Sequence, residues 1–254
     1  MVIEDLSWED VLKESFSCYL REGARSNKKL ILPHYWIREN LKDYFDDSYE
    51  FYSYGVGESK YNKEYPVNGI AYDKKSDISI IKDDEVVGVV SFKFVSSNYS
   101  QNSNNYFENL LGECFNIQAN DIPLCHILVM RDEIPYYKSN GDYEKLEKLK
   151  NHHLNKYFNI LKLKGDYESI PKKLCINIIE ISVNNNDVEI LSPKKFMDFD
   201  KKSTNEQDEL NEILDNMSVK IVDTYENCSD EIHQELKKMD IMKTLKEFAD
   251  IVKS

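Results

Sequence analysis

Nineteen residues in the middle of the chain, Asp77 to Val95, limit its possible folds more than any others. Residues 77–82 read Asp-Ile-Ser-Ile-Ile-Lys, alternating and rich in β-branched side chains. Asp83-Asp84 is a short acidic turn, and Glu85–Val95 runs Glu-Val-Val-Gly-Val-Val-Ser-Phe-Lys-Phe-Val. Two strand-type runs split by a two-residue turn predict a β-hairpin. Its second strand is almost continuously apolar, which places it inside a sheet rather than at a solvated edge. A lysine in such a strand is costly unless a carboxylate answers it, and Asp77 on the neighbouring strand is the natural partner for Lys93.

The rest of the chain is read outward from this hairpin. Residues 7–25 predict a helix capped by Ser7, with Glu9 and Asp10 in its first turn. A second helix is expected after Pro33. Residues 46–76, rich in Tyr and broken by Gly55, Gly57, Pro66 and Gly69, predict a long loop or irregular strands. A polar connection over 96–105 leads to a helix over 104–118, with Tyr106, Phe107, Leu110, Leu111, Cys114 and Phe115 as its apolar stripe. A buried strand over 124–130, a charged helix over 143–161 and a strand over 174–183 follow. That last strand turns at 184–187 into a short partner ending near Leu191. Residues 200–205 read as a linker, and helices over 206–217 and 229–252 close the chain. The expected fold is α/β or α+β: a central mixed sheet carrying the hairpin, flanked by helices, with a helical C-terminus. The expected division is a main domain over 1–199 and a helical extension over 200–254, packed on it or forming a dimer arm.

Thirty-three Lys and Arg against 46 Asp and Glu leave a net charge of −13. This balance argues against coating nucleic acid or anionic membrane through bulk charge, yet allows a local basic cleft. Such a cleft would draw on Lys28, Lys29, Lys74 and Lys75, gathered on the face that carries Asp77. Five scattered cysteines without Cys-x-x-Cys pairing read as free thiols in a reducing compartment. No apolar run approaches membrane length and nothing resembles a signal peptide, so a cytoplasmic protein is expected.

Side chains two apart on a strand share a face, so Ser91 and Lys93 point the same way. Glu108 falls fifteen residues after Lys93 in the following helix, beside the apolar stripe, and Glu113 lies on the stripe's opposite flank as the second choice. Two carboxylates with an ammonium between them make a site for a hard divalent cation and an adjacent water. The amides Asn98, Gln101, Asn102, Asn104 and Asn105 lie between strand and helix, interleaved with Tyr99 and Tyr106. Amides pair with adenine edges and donate to phosphates, although capping and turn formation account for some of them. Lys74 and Lys75 are further candidates for phosphate contact.

Asp77 … Ser91-Phe92-Lys93 resembles the Asp … (Asp/Glu)-x-Lys signature of the PD-(D/E)xK nucleases, which include many type II restriction endonucleases. Ser76 stands where Pro is common, and Ser91 stands where the second carboxylate usually sits. In one restriction-enzyme subgroup the strand reads Ser-x-Lys and a Glu on the next helix, thirteen to fifteen residues after the Lys, replaces the lost carboxylate; Glu108 matches that offset. The resemblance covers residues 73–130. It implies a restriction-endonuclease-like fold, with Mg²⁺ held by Asp77, Glu108 and the main-chain carbonyl of Phe92. It also implies Lys93 acting on the attacking water, Ser91 on a metal-bound water, and double-stranded DNA as substrate of a homodimer. The alternatives are a non-catalytic DNA-binding or assembly module that keeps the fold, and a repair or junction-resolving nuclease.

Overall fold

The computed structural model describes residues 6–163, 166–183 and 191–254. Helix α1 (Trp8–Glu22) starts where the sequence places it: Ser7 and Asp10 form a reciprocal capping box. Helix α2 (Lys28–Lys42) begins five residues before Pro33 and contains it. Proline supplies no N–H to the carbonyl four residues back. The Ser15 hydroxyl of α1 donates to that carbonyl, on Lys29, at 2.6 Å, so the helix continues.

The centre is a six-stranded mixed sheet in the order β1 (Tyr49–Ser53), β4 (Ile78–Lys82), β5 (Glu85–Val95), β6 (Leu124–Arg131), β9 (Lys173–Ser182), β10 (Ser218–Val222). Strands β1, β4 and β5 are successively antiparallel, β5–β6 and β6–β9 are parallel, and β9–β10 is antiparallel. The expected hairpin is β4–β5. Asp83 and Asp84 both have positive φ, 51° and 64°, which matches the twist of the two strands. Two small hairpins stand apart from the sheet: β2 (Tyr65–Val67) with β3 (Lys74–Ser76), and β7 (Glu133–Tyr137) with β8 (Tyr143–Lys148).

Helix α3 (Tyr99–Gln118) crosses from β5 to β6, and α4 (Asn151–Leu161) precedes β9. The chain closes with α5 (Pro193–Phe196), α6 (Thr204–Asp215), β10, α7 (Asp230–Leu236) and α8 (Ile241–Lys253). A core lies on each face of the sheet. One packs Ile80, Phe92 and Ile127 beneath α1, α2, α6 and α8; the other packs Val89, Leu128 and Ile176 beneath α3, α4 and α7. A buried bond ties α1 to the sheet, the Trp8 indole N–H donating to the Asn177 side chain at 2.9 Å.

Several expectations are corrected. Of the long loop or irregular strands expected over 46–76, strands are found: three short ones, with β1 at the edge of the main sheet. The helix expected over 143–161 is a strand followed by a helix, because residues 143–148 pair with β7. The polar connection over 96–105 is shorter, since α3 starts at Tyr99. The C-terminus is not wholly helical: β10 pairs with β9, and the short partner expected to end near Leu191 falls almost wholly outside the described residues. The turn expected at 184–187 lies outside the described residues. Residues beyond 200 share the first core, where Leu210, Val219, Leu245 and Phe248 meet Phe16 and Ile179. All five cysteines are free, as expected. No helix among the described residues is long and apolar enough to cross a membrane.

Phe248 is fully buried, so Phe248→Ala tests this shared core. The expected outcome is a loss of about 3–5 kcal/mol in a single cooperative urea transition. A separate early transition for the C-terminal helices would instead mark them as an independent unit.

Candidate functional site

Strand β5 outruns its neighbour. Its antiparallel pairing with β4 reaches Ile78 opposite Val90, so Phe92 has no strand partner on that edge. Asp77, the residue just before β4, takes the vacancy: its Oδ2 accepts the Phe92 N–H at 2.8 Å and the Lys93 ammonium at 3.1 Å. A strand residue's N–H and C=O leave the same edge, so the Phe92 carbonyl faces the side on which Asp77 stands.

Ser91 and Lys93 project to the α3 face of the sheet. There the Ser91 hydroxyl donates to Glu113 Oε2 at 3.2 Å, and Lys74 on β3 pairs with Glu113 Oε1 at 2.6 Å. Glu113 is only 7% exposed. Asp77 with Lys93, and Glu113 with Ser91 and Lys74, therefore form two bonded groups beside the end of β5, and the Glu113 charge acts on Lys93.

Glu108 is not part of it. Glu108 is solvent-exposed on α3, and the charge it influences is Lys156 of α4. The two carboxylates are five positions apart, a rotation of about 140° around the helix. When Glu113 faces the sheet, Glu108 faces away. Phe115, assigned to the buried stripe from the sequence, shares the Glu108 direction and is 49% exposed. The stripe is centred on Leu110, Cys114 and Ile117 instead.

The charges in the cluster reinforce one another. Burial alone would raise the Asp77 carboxyl, but the Lys93 ammonium and the Phe92 N–H bring it below the ordinary aspartate range. Burial alone would lower Lys93; Asp77 and then Glu113 hold it above the ordinary lysine value, so it is an ammonium at neutral pH. At Glu64, burial and then the Asp77 charge push the carboxyl up. It therefore sits within the field of the cluster.

Two buried histidines flank the site. His126 pairs in register with Ser91, and its Nδ1 has no hydrogen-bond partner. His34 lies on the other face of the sheet, stacked on Tyr54 at 6.1 Å and edge-on to Phe92 at 5.7 Å, with both ring nitrogens unpartnered. Burial depresses both to about 4. Nothing in the spacing of single histidines marks such positions.

The amides divide. Asn98 is committed to β7: its side chain donates to the Tyr137 carbonyl at 3.1 Å and accepts the Tyr137 N–H at 3.0 Å. Asn104 meets Lys156 at 3.3 Å. Gln101, Asn102 and Asn105 are exposed on the first turns of α3. Among the expected basic residues, Lys74 and the exposed Lys75 belong to the strand that enters Asp77. Lys28 and Lys29 instead begin α2, in the helical layer across the sheet, and Lys28 pairs with Glu22 at 2.7 Å.

Hard carboxylate oxygens beside a strand carbonyl suit a hard divalent cation. Among the described residues no group of three or more His, Cys, Asp or Glu side chains is placed to hold a metal. Asp77 and Glu113 are each held by a lysine ammonium instead. No protein family, curated protein or solved structure matches the chain.

The histidines give the site a pH signature. A group whose folded pKa lies below its ordinary value of 6.5 binds protons preferentially in the unfolded chain. Its stabilising contribution is complete above pH 6.5 and is lost as pH falls toward 4. Stability measured by urea is expected to fall across that window with a slope of at most about 1.4 kcal/mol per pH unit for each histidine. His34→Phe, which keeps the ring contacts, should flatten the fall; an unchanged slope would mean that His34 is charged in the folded protein.

Proposed function

We propose that this protein is a Mg²⁺-dependent endonuclease that hydrolyses phosphodiester bonds at specific sites in double-stranded DNA, acting as a homodimer. One observation carries the reading: Asp77 is bonded to Lys93 beside the Phe92 amide, Ser91 turns toward Glu113, and the Glu113 charge reaches Lys93. The order helix, three antiparallel strands, helix, parallel strand around that edge supports a restriction-endonuclease-like core with the hairpin at its centre. The carboxylate opposite Ser91 is Glu113, twenty residues after Lys93, rather than Glu108 at fifteen.

Asp77, Glu113 and the Phe92 carbonyl would hold the cation, which when bound supplies positive charge to phosphoryl oxygens and acidifies water. Lys74 pairs with one Glu113 oxygen and neutralises it, so a cation bound there would have to share or displace the ammonium. Lys93, protonated beside Asp77, is set to orient water and to stabilise charge developing on phosphate rather than to act as a base. Ser91 fixes the rotamer of Glu113. Lys75 and the exposed Gln101, Asn102 and Asn105 are the contacts open to DNA, and two copies related by a two-fold axis would cut both strands of a palindrome.

A second reading, a DNA-binding or assembly module without catalysis, draws on the lysine that already neutralises each carboxylate. Incubating the protein with plasmid and sequencing the ends separates the two. Cleavage at a discrete short sequence is expected with Mg²⁺ and none with chelator present. Asp77→Ala, Lys93→Ala and Glu113→Ala should each slow cleavage by at least about a hundredfold, while Glu108→Ala should cut at about the wild-type rate. Binding without cutting under every condition would favour the module; loss of cutting in Glu108→Ala alone would reject the assignment of Glu113.

A further inference from the structure

Arg131 is the last residue of β6, at the carboxyl end of the three parallel strands, and only 2% of it is exposed. Strand alternation puts it on the α1 face of the sheet with Ile127 and Val129. Its guanidinium carbon stands 5.1 Å from the centre of the Phe16 ring of α1. That contact covers a flat face of the group. The N–H bonds lie in the plane and must find acceptors elsewhere. Nε and Nη1 find none among the described residues.

The neighbours that could answer the charge are otherwise engaged. The Tyr19 hydroxyl donates to Ser97 Oγ at 3.1 Å, and the Tyr137 hydroxyl to the Leu191 carbonyl at 3.4 Å. Burial pushes both phenols up, so neither is an anion at neutral pH, although both feel the Arg131 charge. Asp132 accepts the Glu133 N–H at 2.7 Å, and burial pushes its carboxyl up to about 6 even beside Arg131. Glu133 pairs with Lys148 at 3.5 Å.

Arginine does not shed its proton in proteins, so the group stays charged where it is buried. A buried charge is retained when an opposite charge answers it; water can take up the hydrogen bonds but not the charge. A guanidinium presents parallel N–H bonds that match two oxygens of a carboxylate or a phosphate. At this depth a small ion fits the description and a polymer backbone does not.

We propose that Arg131 anchors an internal site for a small oxyanion, phosphate or carboxylate, at the carboxyl end of β6 beside α1 and β7. The site is independent of the nuclease reading and of Asp77, Lys93 and Glu113. Its ion would complete the folded protein by neutralising a charge that the core leaves open.

The test is urea unfolding of the full-length protein in rising inorganic phosphate, and separately in rising acetate, at constant ionic strength. Each series is repeated on Arg131→Met, which is uncharged and of similar length. A ligand bound only by the folded state raises the folding equilibrium constant about elevenfold at ten times its dissociation constant. The wild-type protein is expected to show this saturable rise with at least one anion, and Arg131→Met only the general salt effect. Arg131→Lys, which keeps the charge and loses the fork, should bind more weakly. Equilibrium dialysis of the wild-type protein with labelled phosphate or acetate reads the site without any variant, and saturable uptake is expected. No saturable uptake, or an equal response in the wild type and Arg131→Met, overturns the site. Asp187 and Glu189 lie outside the described residues. A wild type insensitive to both anions, yet weakened by Asp187→Asn or Glu189→Gln as much as by Arg131→Met, would assign the guanidinium to that carboxylate instead.

Discussion

The arrangement of the site depends on one unpaired N–H. Because β5 continues past the start of β4, the Phe92 amide faces an edge with no strand to accept its bond. A buried donor without an acceptor costs about 1–3 kcal/mol, and the Asp77 carboxylate removes that penalty. That bond fixes the Asp77 rotamer, and the same oxygen then holds Lys93. The apolar strand can therefore carry a lysine at a central position, since its charge is answered where it emerges.

Across the sheet the same logic is repeated with different partners. Glu113 enters a nearly closed space because Ser91 and Lys74 satisfy its two oxygens separately. The two carboxylates are thus balanced by two ammonium groups, and the cluster adds nothing to the overall excess of acid. Lys28 and Lys29 lie elsewhere, and Glu64 and the exposed Asp73 add acid beside the cluster.

The hairpin was legible in the sequence because its period, its turn and its charges agree. The link between Asp77 and Lys93 followed from the cost of a buried ammonium. The choice between Glu108 and Glu113 turned on helical phase, and one aromatic residue misled it. Phe115 looks like core material, and counting it as such rotates the apparent buried face toward Glu108. Burial of a helix face depends on what the sheet and its loops cover, which periodicity does not report. Strand β8 was hidden for a related reason: residues 143–148 are charged enough to read as a helix, and only their pairing with β7 makes them a strand. His126 left no signal, since it becomes notable only through neighbours distant in sequence.

One helix holds the approach to Asp77 at two points. Asn116 grips residues 70–72 and Glu113 grips Lys74, and the two are three positions apart on α3. The strand pair β2–β3 stands outside the main sheet but packs against β4 and β5, and residues 70–74 are also bonded to α3. Amide hydrogens in this segment should therefore exchange with those of α3 as one cooperative unit, opening before the strands of the central sheet. The site's lifetime is then set by a helix, even though its first residue belongs to a strand.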